Sequence, residues 1–267
     1  MKILFYLVSL FCVYAEASSV EELNVALNPV DGVQRTAVYK QIQKFEQANP
    51  QIKVSIRVTE HETYKTAIEN ILSSKNDKID MFFWFGGSKL RSFADNGWLR
   101  PVSEMWRNQN WNGTFSAASR LSVTRNGEQF GLPLYYYQWG IYYRKSIFKK
   151  LGIEIPQNWP ELLAAGQAIK KANFIPFTLG SKNSWPAAGW FDYLNLRING
   201  LEFHQELLSG CQSFSDQRVT AVLEHWNQLI TQGFFIENHN ELNWKDALAY
   251  LYQGHTAMML MGNFFTA

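Results

Sequence analysis

The chain has 267 residues, a formal net charge of +2 and an aromatic content of 15%, ten Trp among them. Near-neutral charge excludes the basic stripe that nucleic-acid binding demands, and no apolar run beyond the N-terminus reaches membrane-spanning length. Met1-Lys2, an uncharged run over 3–14 and the small-x-small ending Ala15-Glu16-Ala17 read as a cleavable secretory signal over residues 1–17. Its removal takes Cys12 and leaves Cys211 alone, so no internal disulfide forms and ordinary cores must hold an exported, periplasmic chain.

Residues 23–27 read as a strand that breaks at Asn28-Pro29-Val30-Asp31-Gly32. Val38, Ile42 and Phe45 then share one helical face, which stops at Asn49-Pro50. Ile52, Val54, Ile56 and Val58 alternate with polar residues, as in a half-buried strand. Tyr64, Ala67, Ile68, Ile71 and Leu72 recur at helical spacing. The run 79–85 is almost wholly apolar, as expected of a strand covered on both faces. Gly86-Gly87 ends it, and Leu90, Phe93 and Ala94 mark a third helix. Three strand–helix units in succession predict a parallel sheet with right-handed crossovers. Ligands bind beyond the carboxyl ends of such strands, so the loops over 28–32, 59–62 and 84–88 are the ones that matter.

Past Pro101 the pattern changes. Residues 106–116, rich in Asn and Trp, read as irregular chain passing between two lobes, an N-terminal lobe over 18–110 and a second over 111–267. Residues 131–134 and 140–143 read as short strands flanking the loop Tyr135-Tyr136-Tyr137-Gln138-Trp139. A helix over 160–172 precedes a strand over 174–179, and helices follow over 188–198, 216–231 and 245–252. A last strand over 256–261 ends at Gly262-Asn263-Phe264-Phe265.

Four stretches carry a resemblance. They are IDMFFWFGGSKLRSFADNGWLRPVSE (79–104), GEQFGLPLYYYQWGIYYRKSIFKKLGI (127–153), the Pro-x-x-Trp-x-Glu-Leu-like segment 156–163 with IPFTLG (175–180), and YQGHTAMMLMGNF (252–264). In this order they resemble the extracellular sugar-binding proteins of ABC transporters, the maltose-binding-protein-like family. The resemblance implies an α/β, two-lobe periplasmic-binding-protein fold (class II-like), each lobe a mainly parallel sheet flanked by helices. It implies a monomer that closes about a hinge on a sugar or oligosaccharide and delivers it to an ABC permease in the inner membrane. A ligand-sensing receptor of the same fold, acting on a sensor kinase or chemoreceptor, is the alternative. Family members continue well beyond the point where this chain stops, so the second lobe is expected to lack its C-terminal segment. No cofactor is implied.

A pyranose presents an apolar C–H face, which suits aromatic planes, and a rim of hydroxyls, which suits carboxylates and amides. Trp84, at the exit of the third strand, is one candidate platform. Tyr136, Tyr137 and Trp139 in the aromatic loop are others, each with hairpin packing as the competing role. Trp185 and Trp190 lie where a Gly/Ser/Pro-rich loop opens a helix, and at least one is expected to touch sugar. Asp31 and Glu60 follow the first two strands as hydroxyl acceptors, with helix capping the alternative. Asn263 and Phe264 stand where the family often has a small residue and Trp. A glycosidase would need two carboxyls about 5–9.5 Å apart across one bond, and nothing in the sequence pairs Asp31, Glu60 or Asp192 in this way. The five His are scattered without metal-site spacing, and no nucleophile elbow or phosphate loop occurs, so neither catalysis nor a metal is expected.

Overall fold

The structure, a computed structural model, describes residues 20–28, 32–74 and 78–266, with only the backbone described at 32–34. The expected signal over 1–17 and the candidate Asp31 lie outside the described residues. The chain divides into two compact units, one ending at Trp84 and the other beginning at Phe85.

The first unit contains β1 (Glu21–Leu27), α1 (Gly32–Ala48), β2 (Ile52–Val58), α2 (His61–Ser73) and β3 (Met81–Phe82). The strands are parallel in the order β2-β1-β3, with Glu21 opposite Ile52 through to Leu27 opposite Val58. Tyr64 and Ile68, one turn apart on α2, are buried with Ala26. The Tyr64 hydroxyl donates to Phe83 O at 2.7 Å and Ala26 O at 3.3 Å, tying α2 to the carboxyl ends of β1 and β3. The run 79–85 is less regular than its composition implies. β3 lies at the sheet edge, Met81 is 54% exposed, and residues 82–85 are only half-buried, so the strand is not covered on both faces.

The second unit opens with α3 (Ser88–Asp95), α4 (Ser103–Asn108), α5 (Trp111–Thr114), α6 (Ala117–Ser122) and the hairpin β4 (Thr124–Arg125) and β5 (Glu128–Gln129). Residues 106–116 are short helices rather than irregular chain, because Trp106 is fully buried against the rings of Trp111 and Phe115 at 6.1 and 5.1 Å. Trp106 Nε1 also donates to Gly131 O at 3.1 Å. The expected strand over 131–134 does not form. The hairpin lies earlier, turning at Asn126 (φ 51°) and Gly127 (φ 83°), the pair of positive φ values that a tight two-residue β-turn requires. The Gly87 amide bonds Ser122 O, and Trp106 is tied to Gly131, so this region packs with itself within the second unit.

The rest of this unit is β6 (Trp139–Tyr143), α7 (Lys145–Leu151), α8 (Trp159–Lys171), β7 (Ile175–Thr178), α9 (Trp185–Ser209), α10 (Gln217–Thr231), α11 (Trp244–Gln253) and β8 (Thr256–Gly262), closed by a 3-10 turn over Asn263–Thr266. The sheet order is β6-β8-β7, with β7 parallel and β6 antiparallel to β8, so it is mixed rather than mainly parallel. Every residue of β8 is buried, as a central strand covered on both faces should be. Met258 and Leu260 face a core built from Leu162 and Ile169 of α8, Leu194 of α9, and Val222 and Leu229 of α10. Met259 and Met261, on the alternate positions, face Leu248 and Leu251 of α11. α9 runs past the expected end at 198, but Gly200 (φ 81°, ψ 174°) leaves the helical region and kinks it into two helical stretches.

Candidate functional site: an aromatic cluster at one end of the second sheet

Four separate segments deliver rings to one end of the β6-β8-β7 sheet. The register pairs Trp139, the first residue of β6, with Gly262, the last of β8. The chain beyond that pair stays zipped, since Asn263 N donates to Gln138 O at 3.0 Å and Gln138 N to Asn263 Oδ1 at 3.3 Å. Tyr137 and Phe264 are thereby brought together at 5.2 Å, ring edge to ring face. Trp185 begins α9, the helix that follows β7, and Trp244 begins α11, the helix that precedes β8. Both helix starts thus lie toward the carboxyl ends of the two parallel strands, the end at which α/β sheets hold ligands.

Phe264 is the hub. Besides Tyr137 it meets Trp244 at 5.6 Å, Trp185 at 6.3 Å and Trp139 at 6.4 Å. Trp185 in turn meets Trp139 at 6.1 Å and Trp244 at 6.3 Å. Most of these pairs are edge-to-face, the arrangement that ring quadrupoles favour. All five rings are half-buried. The three Trp and Phe264 rest on the buried floor of Leu248, Leu251, Met259 and Met261. Glycines permit the close packing. A Cβ on Gly189 would stand 2.7 Å from the Trp139 ring, and one on Gly262 would run into Phe264.

Polar groups surround the rings. The Asn263 and Gln138 side chains are exposed. The Lys245 ammonium stands 5.5 Å from the centre of the Trp244 ring. Burial pushes the Tyr137 hydroxyl above its ordinary pKa, so it stays a neutral donor and acceptor. The cluster therefore offers flat apolar surface with amides and a hydroxyl nearby.

Of the candidates read from the sequence, Tyr137, Trp139, Trp185, Asn263 and Phe264 come together here. Tyr136 belongs to the same loop but is 82% exposed and stands outside the ring contacts described. Trp190 corrects one expectation. It is 1% exposed, wedged edge-on against Phe177 and Phe235 at 5.1 and 5.3 Å, and is core rather than ligand platform. Of the pair, Trp185 is half-buried in the cluster and Trp190 is sealed away from it. Sequence reasoning misses Trp244. It shares a helical face with Ala247, Leu248 and Leu251, and an Asn cap directly before an aromatic residue is the signal that marks it.

In the first unit, Glu60 is a helix cap. Its Oε2 accepts from the Glu62 and Thr63 amides at 2.9 and 3.1 Å, and the Thr63 amide bond is the main cause of its lowered pKa. The capping reading of that residue is the one the geometry supports. Trp84 is half-buried, 6.2 Å from Tyr64. At the same strand ends Asn28 is buried, its amide 2.8 Å from His61 Nδ1. Among the described residues no group of His, Cys, Asp or Glu is arranged to hold a metal ion, and no helix is long and apolar enough to cross a membrane.

The family model for bacterial extracellular solute-binding proteins matches residues 31–266. The chain belongs to this family. It is a family of binding proteins rather than enzymes, and the mixed α/β fold with a parallel first sheet agrees with it. Among relatives, an uncharacterized ABC transporter extracellular-binding protein of Pyrococcus horikoshii is 24% identical over 254 residues, 93% of this chain and 57% of the relative. Among solved structures, a protein from work on xylan utilization by the thermophilic bacterium Caldanaerobius polysaccharolyticus is 26% identical with a TM-score of 0.80, covering 91% of this chain and 61% of that one. The bacterial solute receptor AcbH, which has an exclusive preference for β-D-galactopyranose, is 29% identical with a TM-score of 0.69, covering 92% and 61%. The chain thus spans somewhat over half the length of these three proteins.

Proposed function

We propose that this solute-binding protein captures a sugar or oligosaccharide, with the rings of Trp139, Trp185, Trp244 and Phe264 as its apolar platform, and delivers it to an ABC importer in the inner membrane. The observation that carries the reading is the convergence of five half-buried rings from four segments on the ligand-binding end of one sheet. The core rings Trp106 and Trp190, by contrast, are buried fully. Half-buried rings keep surface for a partner with an apolar face, and exposed amides beside them suit its hydroxyls. The similarity to a galactopyranose receptor and to a protein of xylan utilization supports the same substrate class.

In this reading the protein acts as a monomer, and residues 1–17 direct export to the periplasm. Nothing chemical happens to the ligand. Binding stabilises a closed form that a permease recognises.

Thermal unfolding of the chain with a panel of mono- and oligosaccharides is the test. One sugar class should raise the melting temperature, because a ligand that binds only the folded state must stabilise it. Trp244→Ala and Trp185→Ala should each weaken that sugar about tenfold or more, equivalent to about 1.4 kcal/mol. Unchanged affinity in both would remove the cluster from the site. A melt that no sugar shifts would count against the sugar reading itself.

A further inference from the structure

β7 leads through Leu179 and Gly180 into a short loop, and α9 begins abruptly at Trp185. The residue before it, Ser184, has φ 62° and ψ −36°. Side chains rarely tolerate this region, and Ser184 is one of four described non-glycine residues with positive φ. The Trp185 amide donates to Asn183 O at 2.7 Å, across this single residue. A bond of that span over a positive φ is the strained form of the γ-turn. Ser184 does not gain what serine ordinarily gains at a helix start either. Its side chain makes no capping hydrogen bond, and the second helical position is Pro186, which has no N–H to offer.

The surroundings hold the turn shut. Ser184 N donates to Ser181 O at 2.8 Å. Ser181 is fastened to the segment before α11, its amide to His239 O at 2.7 Å and its Oγ 2.8 Å from His239 Nδ1. Lys182 N donates to Leu242 O at 3.1 Å. Gly180 lies so near the Asn243 carbonyl that a Cβ would overlap it. Two loops are clamped together backbone to backbone, and each ends in a tryptophan of the cluster, Trp185 on one and Trp244 on the other.

We propose that Ser184 is a positioning residue for ligand binding: its strained turn, closed by the clamp to residues 239–243, fixes the Trp185 ring against Trp244 before the sugar arrives. The inference rests on the reading of the cluster as a sugar site. Strain of this kind persists only where neighbouring structure imposes it, and a platform already set in place spares the ligand the entropy of ordering it. Fold stability and affinity should then respond to Ser184 with opposite signs.

The experiment compares wild type, Ser184→Gly, Ser184→Ala and Trp185→Phe. It uses thermal unfolding, near-ultraviolet circular dichroism, and titration with the sugar that stabilises wild type. Ser184→Gly relieves the positive φ and should raise the melting temperature of the free protein by roughly 2–4 °C. It should weaken sugar binding about three- to tenfold, and its dichroism difference from wild type should resemble that of Trp185→Phe. Ser184→Ala keeps the strain and removes the hydroxyl, so it should bind within about twofold of wild type. Unchanged binding by Ser184→Gly overturns the proposal. So does an equal loss in Ser184→Ala, which would make the hydroxyl a direct ligand contact. A lowered melting temperature in Ser184→Gly overturns the strain. If no sugar binds wild type, the sugar reading and the ligand half of this proposal fall together; the spectra and melts of the free proteins then still decide whether the turn positions Trp185.

Discussion

Asp216 shows how much one side chain does at a helix start. Its Oδ1 accepts from the Arg218 amide at 2.8 Å as the cap of α10, while Arg218 Nε and Nη2 reach the same carboxylate at 3.0 and 2.7 Å. The Arg218 side chain first, and its amide second, hold the carboxyl at about 2, below the ordinary 3.8. A folded pKa below the unfolded one contributes stability above the unfolded value, and the contribution is lost as pH falls through the folded one. Asn caps a helix nearly as well as Asp, so Asp216→Asn isolates the charge. The melting temperature of wild type should exceed that of Asp216→Asn by a small, constant margin above about pH 4. The margin should close as the pH approaches about 2; a margin independent of pH would mean the charge contributes nothing.

At the scale of elements, glycine decides how closely helices approach the second core. Gly166 lies in α8 against the fully buried ring of Phe234, and a Cβ there would overlap ring carbons. Alanine is ordinarily the better helix former by about 1 kcal/mol, so propensity alone predicts that Gly166→Ala stabilises. Overpacking a close-packed core costs about 1–3 kcal/mol, and Phe234 is fully buried. The substitution should therefore destabilise by about 1–2 kcal/mol net, read as a lower denaturation midpoint at unchanged slope. A raised midpoint would show that the ring moves freely. Tyr64 does the corresponding work in the first unit, where a buried hydroxyl rather than a glycine joins helix to sheet ends.

For the molecule as a whole, each unit has its own sheet and its own buried core. If sugar binding proceeds with closure, as the proposed reading has it, a saturating sugar should lower the radius of gyration measured by small-angle X-ray scattering. A radius that stays constant at saturation would count against closure. Within the second unit Trp106 is tied to Gly131 and Val102 to Gln129 of the β4–β5 hairpin, contacts distant in sequence that periodicity does not report.

Local chemistry was legible from the sequence. Alternation placed β2 over Ile52–Val58, helical spacing placed α2 and α10, and the apolar run at 256–261 marked the buried central strand β8. The ordered motifs pointed to the family that residues 31–266 match. Periods of 2 and 3.6 are properties of the backbone, so they survive without any knowledge of neighbours. Tertiary structure alone decided which Trp are core and which are half-open. Trp185 and Trp190 are five residues apart on one helix, yet one joins Trp139 and Trp244 while the other is sealed against Phe177 and Phe235. Residues five apart point to different sides of an α-helix, and what each side meets depends on strands and loops brought in from elsewhere in the chain. The antiparallel pairing of β6 and the recruitment of Trp244 have the same origin. Each is settled by which distant segment lies alongside, a fact that no local period encodes.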